Sequence, residues 1–102
     1  MSVVVVATIT PKPGEEDAVR EALLTAIPKV HAEPGCELYA LHEGKGNFVM
    51  IERWESPDAL KVHSGAEALA ELGAALAGKT EGALDILRLA PVPAGDAGKG
   101  AL

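Results

Sequence analysis

At 102 residues the chain is one domain's worth, near the lower end of what supports an independent core, and its 48% hydrophobic and 24% charged residues are those of an ordinary globular protein. Nine Lys and Arg against fifteen Asp and Glu give a net charge of -6, which argues against a surface that tracks nucleic-acid phosphates and against docking to an anionic membrane. The aromatic residues are Tyr39, Phe48 and Trp54 alone, too few for a base-stacking platform, and the single Cys36 makes neither an intrachain disulfide nor a zinc site.

Residues 2–10 are β-branched almost throughout and stop at Pro11-Lys12-Pro13-Gly14, which predicts a strand closed by a turn. The N-terminal apolar run has no basic segment before it and is far too short to span a bilayer, so the expected compartment is the cytoplasm, with Cys36 reduced. Glu15, Glu16 and Asp17 then place acid at a helix N-terminus, and Val19, Leu23, Ile27 and Val30 recur at helical spacing. Pro28 removes a backbone donor and is expected to bend the last turns; Pro34-Gly35 ends the helix. Residues 36–43 and 47–55 read as two strands joined by the glycine-bearing hairpin loop Gly44-Lys45-Gly46. Ser56-Pro57 is an N-cap followed by proline at the first helical position, opening a short helix over 58–63. Ser64-Gly65 breaks it, an alanine-rich helix runs over 66–77, and a last strand occupies 82–90. Residues 1–90 thus form the expected domain, and 91–102, rich in Pro, Gly and Ala, a tail expected to be disordered.

The order β-α-β-β-α-β is that of an α+β, ferredoxin-like fold with a four-stranded antiparallel sheet. Helices on one face should leave the other solvated and polar, yet both parities are apolar. Val5, Ala7 and Ile9 alternate with Val4 and Val6, and Leu84 and Ile86 with Leu87 and Leu89. A homodimer whose open sheet faces meet, with a ligand cavity between the sheets, satisfies that pattern. The smaller branched pair Val49 and Ile51 suits the helix side, which puts Phe48, Met50, Glu52 and Trp54 on the side turned to the second subunit.

No phosphate-binding loop, dinucleotide fingerprint, HExxH, nucleophile elbow or paired-cysteine motif occurs. Candidate chemistry therefore rests on polar groups set among apolar strands. A carboxylate between Met50 and Trp54 must pair, hydrogen-bond or protonate when buried, so Glu52 is either a general base or half of an interface salt bridge to Arg53 or Arg88. Trp54 is a core aromatic or a ligand wall. His63, at the end of the short helix, is an imidazole able to reach back over the third strand as a base, or a residue that merely suits the helix dipole. Tyr39 is an ordinary half-buried strand tyrosine or offers its hydroxyl to the cavity, and His42 is a surface or capping histidine or joins Phe48 and Met50 in a candidate substrate wall. The histidines His31, His42 and His63 are too widely spaced for a metal site.

Val4 through Gly14, Glu33 through His42, Phe48 through Ser56 and Ala59 through His63, taken together, resemble the antibiotic biosynthesis monooxygenase family over about residues 3–90. The resemblance implies the dimeric α+β barrel. It also implies a cofactor-independent monooxygenase, in which a deprotonated quinol, phenolic or polycyclic aromatic substrate supplies electrons to O2 with no metal, flavin or haem. Trp54 and His63 match family positions, so that catalysis is expected of His63, Glu52 and Trp54, and substrate contact of Phe48, Met50, Tyr39 and His42. Polyketide-tailoring members carry Asn four residues before the Trp, where Met50 stands here, and haem-degrading relatives carry Asn in the place of Ala7. Another branch isomerises or degrades small phosphorylated carbonyl signals by acid–base chemistry, which keeps an isomerase or degradative enzyme on a small hydroxy-carbonyl signal molecule, and a small-molecule-binding stress module without turnover, as alternatives.

Overall fold

The computed structural model describes residues 2–102. Its elements are β1 (Val3–Ile9), α1 (Glu16–His31), β2 (Cys36–Glu43), β3 (Phe48–Trp54), α2 (Pro57–Ser64), α3 (Glu67–Leu76) and β4 (Asp85–Leu89). The strands form one antiparallel sheet in the order β2-β3-β1-β4, the ferredoxin-like α+β arrangement that the element order predicts.

The helices form where local chemistry favours them. In α1, Glu16 and Asp17 stand in the first turn and Lys29 and His31 in the last, and Val19, Leu23, Ala26 and Val30 make the buried stripe. The helix continues through Pro28 to His31. Ser56 caps α2, its hydroxyl accepting from the Ala59 amide at 3.1 Å, with Pro57 in the first turn. α3 buries Ala68, Leu72 and Leu76 against the same core. The last strand starts at Asp85 rather than 82, because Gly82 turns the chain with a left-handed φ of +67° and its carbonyl accepts from the Thr80 hydroxyl. Residues 91–102 carry no helix or strand; a turn at Asp96 accepts the amides of Gly98 and Gly100, each at 2.8 Å.

Strand parity is the reverse of the expectation. Phe48, Met50, Glu52 and Trp54 are all buried on the side of this chain's own helices, and Val49 and Ile51 lie on the open face. The reason is depth: the long side chains of Phe48, Met50, Glu52 and Trp54 reach the helix layer from the sheet, where short branched ones fall short of contact. The main cavity therefore lies between the sheet and the helices of one chain, not between two sheets. The open face is nevertheless largely apolar: Val6 stands between Ile51 and Leu87, Val4 between Arg53 and Leu89, and Val49 opposite Thr8.

The α1–β2 turn approaches the start of α2 closely at Gly35. Its φ is +80°, a Cβ there would lie 2.5 Å from that of Ala59, and its carbonyl accepts from the Glu55 amide at 2.8 Å. Gly35→Ala is expected to cost roughly 2–4 kcal/mol in urea unfolding, the left-handed backbone penalty plus that of overpacking. Gly46→Ala, with φ +79° but open space around it, should cost only the backbone part, about 1–2 kcal/mol.

Candidate functional site

Antiparallel register places Tyr39, Glu52, Val5 and Arg88 in one row across the sheet, all on the helix side. Met50, Ala7 and Ile86 form the next row. Above these rows α2 lays His63, and the helices and sheet together enclose a cavity of about 420 Å³. Its wall is largely apolar, from Val5, Ala7, Ile9, Leu23, Met50, Leu69, Leu72, Leu84 and Ile86. Tyr39, Glu52 and His63 are its buried polar groups, and Asp58, Lys61, Ser64 and Arg88 its exposed ones.

The polar end is a connected network. Trp54 is wholly buried and its indole N–H donates to Glu52 Oε1 at 2.9 Å. The Trp54 ring stacks on His63 with centroids 4.4 Å apart, and the Tyr39 ring meets His63 edge-on at 5.7 Å. His63 Nδ1 lies 2.8 Å from Glu33 Oε1, while His63 Nε2 lies 3.9 Å from Glu52 Oε1. A carboxylate only accepts, so pairing with Glu33 assigns the proton of a neutral His63 to Nδ1 and leaves the Nε2 lone pair toward Glu52 and the cavity. Glu33 holds its geometry from the turn that ends α1, and its second oxygen, Oε2, is buried without a partner among the described residues.

Burial pushes the Glu52 carboxyl above the ordinary carboxylate range, the repulsion of Glu33 adds to this, and the Trp54 hydrogen bond and His63 work against it. Burial, with Glu52 and Glu33 nearby, raises the Tyr39 hydroxyl as well, which keeps it protonated as a donor. The arrangement thus pairs an oriented imidazole acceptor with a hydroxyl donor at one end of an apolar chamber. Among the described residues no group of three or more His, Cys, Asp or Glu side chains is placed to hold a metal ion.

Of the residues singled out from sequence, Tyr39, Met50, Glu52 and His63 line the cavity, and Trp54 stands behind Glu52 and His63. Phe48 is buried but lies off the cavity, opposite Ile9 and under the Arg20 guanidinium at 5.3 Å. His42 sits opposite Val49 on the open-face parity, exposed, with Nδ1 3.2 Å from the Ala40 carbonyl oxygen. Parity removes His42, which lies on the open face, whereas Phe48 shares the inward face but stands at the opposite end of β3 from Glu52 and Trp54. Glu33 escaped the sequence reading because its contact with His63 spans thirty residues. The one available signal was an acidic residue just past a helix C-terminus, where the dipole disfavours it.

A carboxyl weakened by burial binds more protons in the folded than in the unfolded chain above the ordinary carboxylate range. Stability should then fall as pH rises from about 4.5. Glu52→Gln keeps an acceptor for the Trp54 indole and removes that titration. Its unfolding free energy, from urea titrations, should match wild type at pH 4 and exceed it progressively toward pH 8, by about 1.4 kcal/mol for each tenfold by which burial weakens the acid. A pH-independent difference would remove Glu52 as the source.

Comparison with known proteins gives the family and the fold. The family model described as antibiotic biosynthesis monooxygenase matches residues 2–78. A Mycobacterium tuberculosis structure superposes with a TM-score of 0.87 at 30% identity, over 94% of this chain and 100% of that one. A Caulobacter crescentus structure, described as a candidate antibiotic biosynthesis monooxygenase, gives 0.80 at 34% identity, over 86% and 87%. A Pseudomonas aeruginosa protein gives 0.80 at 28% identity, over 86% and 91%. No protein of curated function matches the sequence. With most of its length covered by the family model and by relatives of the same fold, the chain belongs to the antibiotic biosynthesis monooxygenase family.

Proposed function

We propose that the cavity binds a small quinol, phenol or polycyclic aromatic compound and that the protein is a cofactor-independent monooxygenase, with His63 as the base. The observation that carries this reading is the imidazole held by Glu33 through Nδ1, with Nε2 turned toward Glu52 and a largely apolar chamber. A hydroxyl proton of the substrate passes to Nε2, and the imidazolium so formed stands between the Glu33 and Glu52 carboxyls. The Tyr39 hydroxyl donates to the developing oxyanion. The deprotonated ring reduces O2; for a quinol, one oxygen atom enters the ring as it becomes a hydroxyquinone and the other leaves as water. Met50 and the aliphatic wall position the ring and exclude water. Trp54 acts through Glu52 and His63, fixing both.

The open sheet face carries the second part of the reading, a homodimer in which two such faces meet. Leu87 and Leu89 are 52% and 45% exposed in the single chain, beside Val6 and Ile51 of the same face. No described helix is long and apolar enough to cross a membrane, and we place the reaction in the cytoplasm, where Cys36 stays a thiol.

Oxygen uptake by metal-free protein over a panel of quinols and anthrones tests the chemistry, with one atom of labelled O2 expected in the product. His63→Ala should lower kcat/KM by about 10²–10⁴, the usual contribution of a general base. Proton exchange into a hydroxy-ketone without O2 uptake would favour an isomerase instead. Light scattering at micromolar concentration should give a dimer for the wild type and a monomer for Ile51→Lys; a wild-type monomer removes the dimer reading.

A further inference from the structure

The chain has three arginines, and two are neutralised internally. Arg20 pairs with Asp17 and Glu43 at 2.8 and 2.7 Å, and Arg53 with Glu37 at 3.1 Å. Arg88 has no ion-pair partner among the described residues, and it alone of the three lines the cavity. Its place is fixed by register, since Val5 pairs with Glu52 on one side and with Arg88 on the other. Glu52 and Arg88 are thus two strand spacings apart on the same face, about 9.6 Å between backbones. The other charged groups lining the cavity are Asp58 and Lys61, three residues apart on α2, which cancel in net charge. The uncompensated charge opposite the Glu52–His63 end is therefore one guanidinium.

A chain of net charge -6 that leaves one inward-facing arginine unpaired, with buried carboxyls at the opposite end of the chamber, has built a polar gradient along its cavity. A neutral hydrocarbon has no use for that gradient. A planar oxyanion suits a guanidinium, which presents its donors as a fork. An anion placed at the other end would face Glu52 and Glu33.

We propose that the ligand carries an anionic group, a carboxylate or an equivalent planar oxyanion, at the end opposite its reacting hydroxyl, and that Arg88 binds it. The inference rests on the reading of the chamber as a site for a hydroxylated aromatic, and it adds polarity, orientation and length. The ligand enters with its hydroxyl toward His63 and Glu52, lies across Val5, and spans about two fused rings before its anion meets Arg88. Arg88 is then a specificity residue: it selects acidic aromatics over neutral ones of the same shape and sets which hydroxyl reaches the base.

Binding measured by titration calorimetry under argon, so that no turnover intervenes, tests this with three probes: 6-hydroxy-2-naphthoate, the isosteric neutral 6-hydroxy-2-naphthamide, and 2-naphthol. Wild type should prefer the carboxylate over the carboxamide by about tenfold or more, the size of one charge-assisted contact. Arg88→Gln should bring the two Kd values within about twofold while leaving 2-naphthol binding unchanged, and Arg88→Lys should restore part of the preference, a point charge replacing the fork. Lys45→Gln, in the β2–β3 loop, removes the same net charge far from the cavity and should change nothing. Equal wild-type affinity for carboxylate and carboxamide overturns the proposal, as does a preference that survives Arg88→Gln or is lost equally in Lys45→Gln. In those cases binding of 2-naphthol leaves the aromatic reading of the chamber standing. Failure of all three probes to bind overturns both.

Discussion

The hydrogen bond from the Trp54 indole to Glu52, two residues earlier on β3, is the constraint around which the site is organised. A buried carboxyl without a partner costs several kcal/mol, and this one obtains its partner from its own strand through the period-2 geometry that puts both side chains on one face. Once Trp54 is pinned by that bond, its ring becomes the floor on which His63 stacks. The imidazole is then fixed from below by the ring and from one edge by Glu33, leaving one nitrogen toward the cavity. Three segments distant in sequence, the turn after α1, the end of β3 and the last turn of α2, converge at the His63 ring.

That convergence depends on backbone as much as on side chains. Gly35 lets the α1–β2 turn reach within contact of Ala59, which stands near the start of the helix bearing His63. The Ser56 cap and Pro57 start α2 directly after β3, so that only a short arc separates Trp54 from the ring it supports. Breaking the second crossover into α2 and α3 serves the same end: the short first helix carries His63 over the polar end, and the second adds Leu69 and Leu72 to the apolar wall.

The fold was legible in the sequence because its elements are punctuated by residues with local meaning, Pro11 to Gly14, Pro34-Gly35, the Gly44 to Gly46 loop and Ser56-Pro57. The direction in which β3 faces was not. Alternation separates Phe48, Met50, Glu52 and Trp54 from Val49 and Ile51 but does not say which set meets the helices, and side-chain size points to the helix side only once the depth of that layer is known. Trp54, Glu52 and Tyr39 were visible as polar or aromatic exceptions within apolar strands, and Met50 by its shared parity with Glu52 and Trp54. Glu33 was not visible as the partner of His63, and Arg88, foreseen only across an interface, was not visible as part of the cavity wall, because one joins the network through a helix end and the other through the register of an edge strand. Pairing partners are tertiary facts, and no periodicity encodes them.

The network is also an unusual use of stability in so short a chain. Burying Glu52, and burying an oxygen of Glu33 without a partner, both work against folding, and an apolar trio of equal volume would pack at lower cost. The shortfall is met by the aliphatic and aromatic core around it, from Val19, Leu23 and Val30 to Met50 and Trp54, all among the most deeply buried side chains. The second apolar surface, on the far side of the sheet, contributes nothing to the single chain while it faces water. Covering it in a dimer would add hydrophobic stability on the side of the sheet away from the carboxyls, so that the open face can supply what the polar site takes away. On that view the two apolar parities of the strands have separate tasks: one shapes the chamber around a strained polar cluster, and the other, through association, offsets its cost.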